Sequence, residues 1–167
     1  MKPYQAPPWL PGGHAQTIWP KFISQAPIRL RRERLDTPDG DFIDLDWMDA
    51  PADTPGTDAK RPLLLPLVIL FHGLEGSSSS HYATSLMAAT RARGWAGVVS
   101  HFRGCSGEGN RLPRAYHSGD SDEVDWVLRC LRQRYPKRPI FVAGVSLGGN
   151  ALLKWLGERE FLAGDVI

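Results

Sequence analysis

The run Gly144-Val145-Ser146-Leu147-Gly148-Gly149 sets one serine hydroxyl among glycines. Apolar Ile140-Phe141-Val142-Ala143 precedes it, and the helix formers Ala151-Leu152-Leu153-Lys154-Trp155-Leu156 follow it. A serine hydroxyl is a weak nucleophile until it is exposed, oriented and paired with a base. Gly-x-Ser-x-Gly on a sharp strand-to-helix turn meets the first two needs, because the flanking glycines let backbone pack where a Cβ would clash. The pattern alone is short enough to arise by chance. With a strand before it and a helix after it, the expected chemistry is nucleophilic acyl transfer through Ser146. A plain turn would have little need of Gly144, Gly148 and Gly149 together. The same turn places the Leu147 N–H at a helix N-terminus, where it can donate to a developing oxyanion.

A serine held in this way needs a sheet behind it, and the chain carries the pattern of one. Residues 28–35 and 42–47 flank Thr37-Pro38-Asp39-Gly40, turn chemistry that predicts a β-hairpin. Residues 50–62 read as a loop. The continuous apolar run 67–71 predicts a strand buried on both faces. Helix formers over 82–93 stop at Gly94, a C-terminal signal, and 95–102 reads as the next strand. Asp120 and Glu123 offer a helix N-cap and its reciprocal partner. Val124, Val127, Leu128 and Leu131 then recur at helical spacing to about residue 135. Residues 140–144 read as a third buried strand, and 147–158 as the last helix. This alternation predicts parallel strands with helices on both faces, entered through the hairpin. Residues 1–27, rich in Pro, Gly and aromatics, are expected to form an extended arm, and 28–167 a partial catalytic domain.

Composition narrows the function. Of 167 residues, 42% are hydrophobic and 23% charged, as in globular rather than disordered chains. Lys and Arg number 20 against 18 Asp and Glu, too even to argue for a nucleic-acid partner. Arg29, Arg31, Arg32 and Arg34 form the densest basic cluster and read as a solvated strand face. The longest apolar run is far short of the roughly 20 residues of a membrane helix, and residues 1–8 do not resemble a signal peptide. Two cysteines, Cys105 and Cys130, make no disulfide framework. The expectation is reduced thiols and a cytoplasmic location.

Strand, serine turn and helix in this order are those of an α/β-hydrolase. In that fold a second oxyanion donor comes from the loop after the third strand. Here that loop is His72-Gly73-Leu74-Glu75-Gly76-Ser77, with Leu74 as the expected donor and Gly73 at the turn. Three further segments join these two: Gly13-His14-Ala15-Gln16-Thr17, Phe102-Arg103-Gly104-Cys105-Ser106-Gly107-Glu108, and Tyr116-His117-Ser118-Gly119. In this order, with the serine run extended to Asn150, they resemble the YheT-like α/β-hydrolases. The resemblance implies hydrolysis of carboxylic esters by a Ser-Asp-His triad, with no metal and no organic cofactor. It implies acyl esters or lipids as substrates without fixing one.

The chain departs from this pattern at one place. In the fold the triad runs serine, then Asp or Glu, then His, yet none of the five histidines (His14, His72, His81, His101, His117) follows Ser146. Family members are about twice as long, so the chain reads as an N-terminal portion whose acid and base lie on a missing segment. His72 is expected to brace the oxyanion loop, His101 to pack or cap at a strand end, and His81 to begin a helix. His14 and His117 lie in family segments and could touch substrate. Arg103 is expected to anchor backbone carbonyls in a glycine turn that could also wall the acyl pocket. Cys105 lacks the strand–helix surroundings of a nucleophile, and His101 with Cys105 lacks the further ligands of a metal site. Trp95, Trp126 and Trp155 read as core or helix-face residues.

Two function classes follow. One is a serine esterase, either as a fragment or completed by a separate chain, and barely active as the isolated 167-residue chain because the base is absent. The other is a non-catalytic chain that acts by association. For the second, strand 139–144 would form an apolar sheet edge open to self-association, so the isolated chain is expected to be oligomeric or poorly soluble.

Overall fold

The computed structural model describes residues 5–19, 22, 28–50 and 65–167. The loop expected over 50–62 lies, Ala50 apart, outside the described residues, as do 1–4, 20–21 and 23–27 of the arm. Within the stretch read as extended, Gly13–Ile18 forms a short helix, α1, with no buried residue. Gly12 turns the chain at φ 80, and the Thr17 hydroxyl bonds back to the Gly13 carbonyl at 2.7 Å.

Strands β1 (Arg31–Asp36) and β2 (Phe42–Met48) form the antiparallel hairpin that the Thr-Pro-Asp-Gly turn predicts. Then β3 (Leu67–Phe71), α2 (His81–Ala92), β4 (Ala96–Ser100), α3 (Ser121–Arg134), β5 (Ile140–Gly144) and α4 (Leu147–Arg159) follow. A 3₁₀ turn, Glu160–Asp165, comes after α4. One five-stranded sheet results, in the order β1-β2-β4-β3-β5. The strands β4, β3 and β5 run parallel, and β2 joins β4 antiparallel.

Side-chain alternation sends two sets of residues to opposite faces. Ile43, Leu45, Ile69 and Val98 pack with Val124, Leu128 and Trp155 of α3 and α4. Met48, Leu70 and Val99 pack with Ala83 and Met87 of α2. Burying each such side chain contributes roughly 1.5–3 kcal/mol. All five residues of β3 are buried, as a central parallel strand requires.

Three expectations need correction. Strand β5 is not buried throughout: Phe141 is 53% exposed, because β5 pairs only with β3 among the described residues and so forms the sheet edge. It stacks on Trp95, centroids 5.8 Å apart. Asp120 precedes α3 but makes no capping hydrogen bond. Its carboxylate accepts instead from Arg114 at 2.6 Å, and Glu123 accepts from Arg103. The arginines of β1 are not simply solvated. Arg32 and Arg34 lie directly opposite Asp46 and Asp44, and each makes a two-pronged bond to that buried carboxylate. Arg31 reaches the exposed Asp49.

Candidate active site

Strand β5 leads into the turn through Val145, whose N–H donates to the Phe71 carbonyl at 3.1 Å and extends the pairing with β3. Ser146 then takes φ 51 and ψ −112, a left-handed conformation that side chains rarely adopt and that costs of order 1–3 kcal/mol. Helix α4 starts at the next residue. The Gly148 N–H closes on the Val145 carbonyl at 3.0 Å, and the Asn150 N–H on the Ser146 carbonyl at 2.9 Å. Glycine is required here by contact. A Cβ on Gly144 would lie 2.6 Å from the Gly149 Cα, and one on Gly148 would run into the carbonyl oxygens of Phe71 and His72. The start of α4 therefore packs directly on the end of β3, and Ser146 is left exposed at the crest.

The loop after β3 lies against this crest. A Cβ on Gly73 would sit 3.4 Å from both the Ser146 Cβ and the Val145 carbonyl oxygen, so the two turns face each other across a gap that a methyl group would fill. The Leu74 side chain is 68% exposed. Neither the Leu74 nor the Leu147 N–H has a hydrogen-bond partner among the described residues, whereas those of Gly73, Glu75 and Gly148 do.

His72 braces this loop. It is fully buried, with Nδ1 2.7 Å from the Gly73 carbonyl and Nε2 3.0 Å from the Phe102 N–H. Those partners make Nδ1 the donor and Nε2 the acceptor, a neutral imidazole. Burial pushes its pKa from 6.5 down to about 4, with the His101 ring adding to the effect and the Gly73 carbonyl opposing it. His101 is also buried, past the end of β4, with Nε2 2.8 Å from Asp46 and Nδ1 3.2 Å from the Cys105 carbonyl. Asp46 also accepts from Arg32 and from Ser78 of the segment after the loop 72–77. Burial would raise its pKa, but these three donors win and hold it well below the ordinary carboxylate range. His81 begins α2, His14 is exposed on α1, and the exposed His117 accepts from the Gly119 N–H at 3.1 Å. Among the described residues no group hydrogen-bonds the Ser146 hydroxyl.

Arg103 corrects another expectation. Its buried guanidinium meets carboxylates, not carbonyls: Asp39 and Asp41 at 2.9 Å and Glu123 at 2.6 Å. A fixed cation taken out of water needs full charge compensation, which carbonyl dipoles supply less well. The segment 101–120 is thereby tied to the hairpin and to α3, and Asn110 adds bonds to Asp41 and the Phe42 carbonyl. Cys105 and Cys130 are free, half-buried thiols whose pKa values burial raises. Trp155 is a core residue whose indole N–H reaches Asp125 at 2.8 Å.

Composition and spacing did not point to Tyr82 or Tyr116. The Tyr82 hydroxyl accepts from the Gly73 N–H at 2.9 Å, and the Tyr116 hydroxyl from the Glu75 N–H at 2.9 Å. The only available sequence signal was the presence of Tyr116 in a segment shared with the resembled family.

A mixed sheet whose β4, β3 and β5 run parallel in this crossover order, and a left-handed serine at the turn into the helix after β5, define a known class. The chain belongs to the α/β-hydrolase fold family, whose model matches residues 66–160. Within it the similarity is to the YheT branch. The chain is 46% identical over 147 residues to "Putative esterase YheT" of Escherichia coli (strain K12), covering 87% of this chain and 41% of that one. It is 34% identical over 151 residues to human "Phospholipase ABHD3", covering 90% and 36%. The chain thus spans about two fifths of the length of these curated relatives. Among solved structures, XC6422 of Xanthomonas campestris, described as an α/β serine hydrolase without a lid, superposes with a TM-score of 0.61 at 22% identity, over 82% of this chain and 60% of that one. Est1E of Butyrivibrio proteoclasticus, solved with ferulic acid, gives 0.62 at 18% identity, over 81% and 49%. At these identities the structures bear on the fold alone. No described helix is long and apolar enough to cross a membrane.

Proposed function

We propose that this chain carries the nucleophile and oxyanion hole of a serine esterase that cleaves small-molecule or lipid carboxylic esters. The observation that carries the reading is the backbone of Ser146, left-handed between strand and helix and packed on glycines that tolerate no Cβ. A strained residue held by such contacts is what a fixed, exposed nucleophile needs. The names of the relatives, esterase and phospholipase, agree with ester hydrolysis.

In the proposed reaction the Ser146 oxygen attacks the ester carbonyl carbon and its proton passes to a base. The carbonyl oxygen takes up the electron pair and is met by the Leu74 and Leu147 N–H groups. Collapse expels the alcohol, protonated by the same base, and leaves an acyl-Ser146 that water hydrolyses. No described histidine hydrogen-bonds Ser146, and in this fold the acid and histidine follow the serine along the chain. The proposal therefore assigns both to sequence beyond residue 167, and the catalytic scaffold to residues 28–167 with 1–27 as an arm.

Fluorophosphonate labelling with peptide mapping, alongside p-nitrophenyl ester hydrolysis, tests this. The adduct is expected on Ser146, slowly formed, with hydrolysis by the 167-residue chain held to the ~10³–10⁴ over water that oxyanion hole and binding alone can supply. Ser146→Ala should abolish the adduct and leave that residual hydrolysis in place, since it does not use the serine. An adduct elsewhere, or one that persists in Ser146→Ala, overturns the assignment. Fast Ser146-dependent labelling would place the base inside this chain instead.

A further inference from the structure

An oxyanion hole needs a donor that is both unpaired and fixed in direction. From Gly73 to Ser77 the loop offers a run of backbone N–H groups, and the structure disposes of nearly all of them. The Gly73 N–H donates to the Tyr82 hydroxyl at 2.9 Å, and the Glu75 N–H to the Tyr116 hydroxyl at 2.9 Å. The Gly76 N–H donates to the Gly73 carbonyl at 2.9 Å, and the Ser77 N–H to the Ser80 hydroxyl at 3.0 Å. Leu74 is the one member of the run without a partner among the described residues.

The two tyrosines come from different elements and grip either side of Leu74. Tyr82 stands in the first turn of α2, and its hydroxyl fits only because residue 76 is glycine: a Cβ there would collide with it. Tyr116 comes from the segment that Arg103 and Asn110 tie down. Its ring stacks on Phe102 with centroids 5.2 Å apart, and the Phe102 N–H is the donor to His72. Its hydroxyl also donates to the Glu75 carboxylate at 2.8 Å, closing a two-way exchange with one residue. Glu75 needs that grip, since it sits at φ 51, which a free glutamate would leave. With residue 75 held left-handed and residue 73 held from α2, the peptide between them has little freedom to turn.

We propose that Tyr82 and Tyr116 are positioning residues that select Leu74 as the oxyanion donor, by occupying the flanking N–H groups and fixing the Leu74 peptide. The inference rests on the reading of Ser146 and its oxyanion hole given above. A mere packing role would need the rings; this role needs the hydroxyls.

Amide hydrogen exchange in Tyr82→Phe and Tyr116→Phe separates the two, because phenylalanine keeps the ring. In the parent chain, the Gly73 and Glu75 amides should exchange at least about tenfold more slowly than that of Leu74. Tyr82→Phe should release Gly73 alone and Tyr116→Phe Glu75 alone, with α2 and α3 amides unchanged as the control for folding. Equal exchange across 73–75 in the parent, or retained protection in both variants, overturns the inference. A second arm drives Ser146 to full phosphonylation with excess fluorophosphonate. The adduct should slow Leu74 exchange in the parent and less so in each variant, and the variants should phosphonylate between about tenfold and about 10²-fold more slowly. If Ser146 takes no adduct, the nucleophile reading fails while the exchange pattern still decides the role of the tyrosines. If Ser146 is modified and the variants match the parent in rate and in Leu74 protection, the positioning role fails alone.

Discussion

The two halves of the candidate site lie side by side but are held in opposite ways. The turn at Ser146 is fixed by backbone against backbone: Gly144 on Gly149, and Gly148 on the carbonyls that end β3. The loop at Leu74 is fixed by side chains, with His72 from within and Tyr82 and Tyr116 from elements before and after β4. Backbone packing leaves one permitted residue and fails abruptly when a methyl group is added. Side-chain bracing fails by degrees, one hydrogen bond at a time, and responds to protonation. The contrast teaches where this site tolerates change.

The largest test is Gly148→Ala. The added Cβ meets two carbonyl oxygens that belong to the central strand and cannot move aside. Overpacking of this kind should cost roughly 1–3 kcal/mol, read as a lower urea midpoint. A loss below about 1 kcal/mol would show that the turn yields, and that the two halves are not so different.

The next test is pH, and it should act on the loop and not on the turn. The pKa of His72 is lowered by burial from 6.5 to about 4, so the unfolded chain binds the proton more readily. Its contribution to stability is therefore present above about pH 6.5, falls as pH drops toward about 4, and changes no further below that. Nuclear magnetic resonance titration of the ring should give a midpoint near 4 and show loop 72–77 losing amide protection before β5 does. An ordinary midpoint would remove the acid-sensitive half of the comparison.

The smallest effect is Ser146→Gly. Glycine relieves the left-handed backbone at the cost of unfolded-state entropy, so stability should rise by about 1 kcal/mol or less while phosphonate labelling disappears. Stability lost instead would mean that the serine side chain holds the turn, contrary to the packing described.

What could be read from the sequence divides along the same line. Strands 67–71 and 140–144 match the observed elements residue for residue, because apolar runs bounded by turn residues report extended structure, although burial throughout holds only for the first. The hairpin and the serine turn were legible for a related reason: Pro, Asp and Gly specify turns within a few positions. Side-chain partners were not legible. Asp120 and Glu123 have the spacing of a capping pair, yet Arg114 and Arg103 claim them, since charge neutralisation in a buried site outweighs an end-of-helix hydrogen bond.

The chain alone therefore determined the class of fold and the position of Ser146, because both follow from periodicity and from glycine, properties of neighbours in sequence. Only the tertiary structure decided that Arg103 binds three carboxylates, that β5 exposes Phe141, and that Tyr82 and Tyr116 take the donors on either side of Leu74. Tyr116 and Glu75 are 41 positions apart in the chain. Their meeting depends on β4 pairing between β2 and β3 and on the segment after β4 folding back over the loop, and no local pattern encodes that juxtaposition.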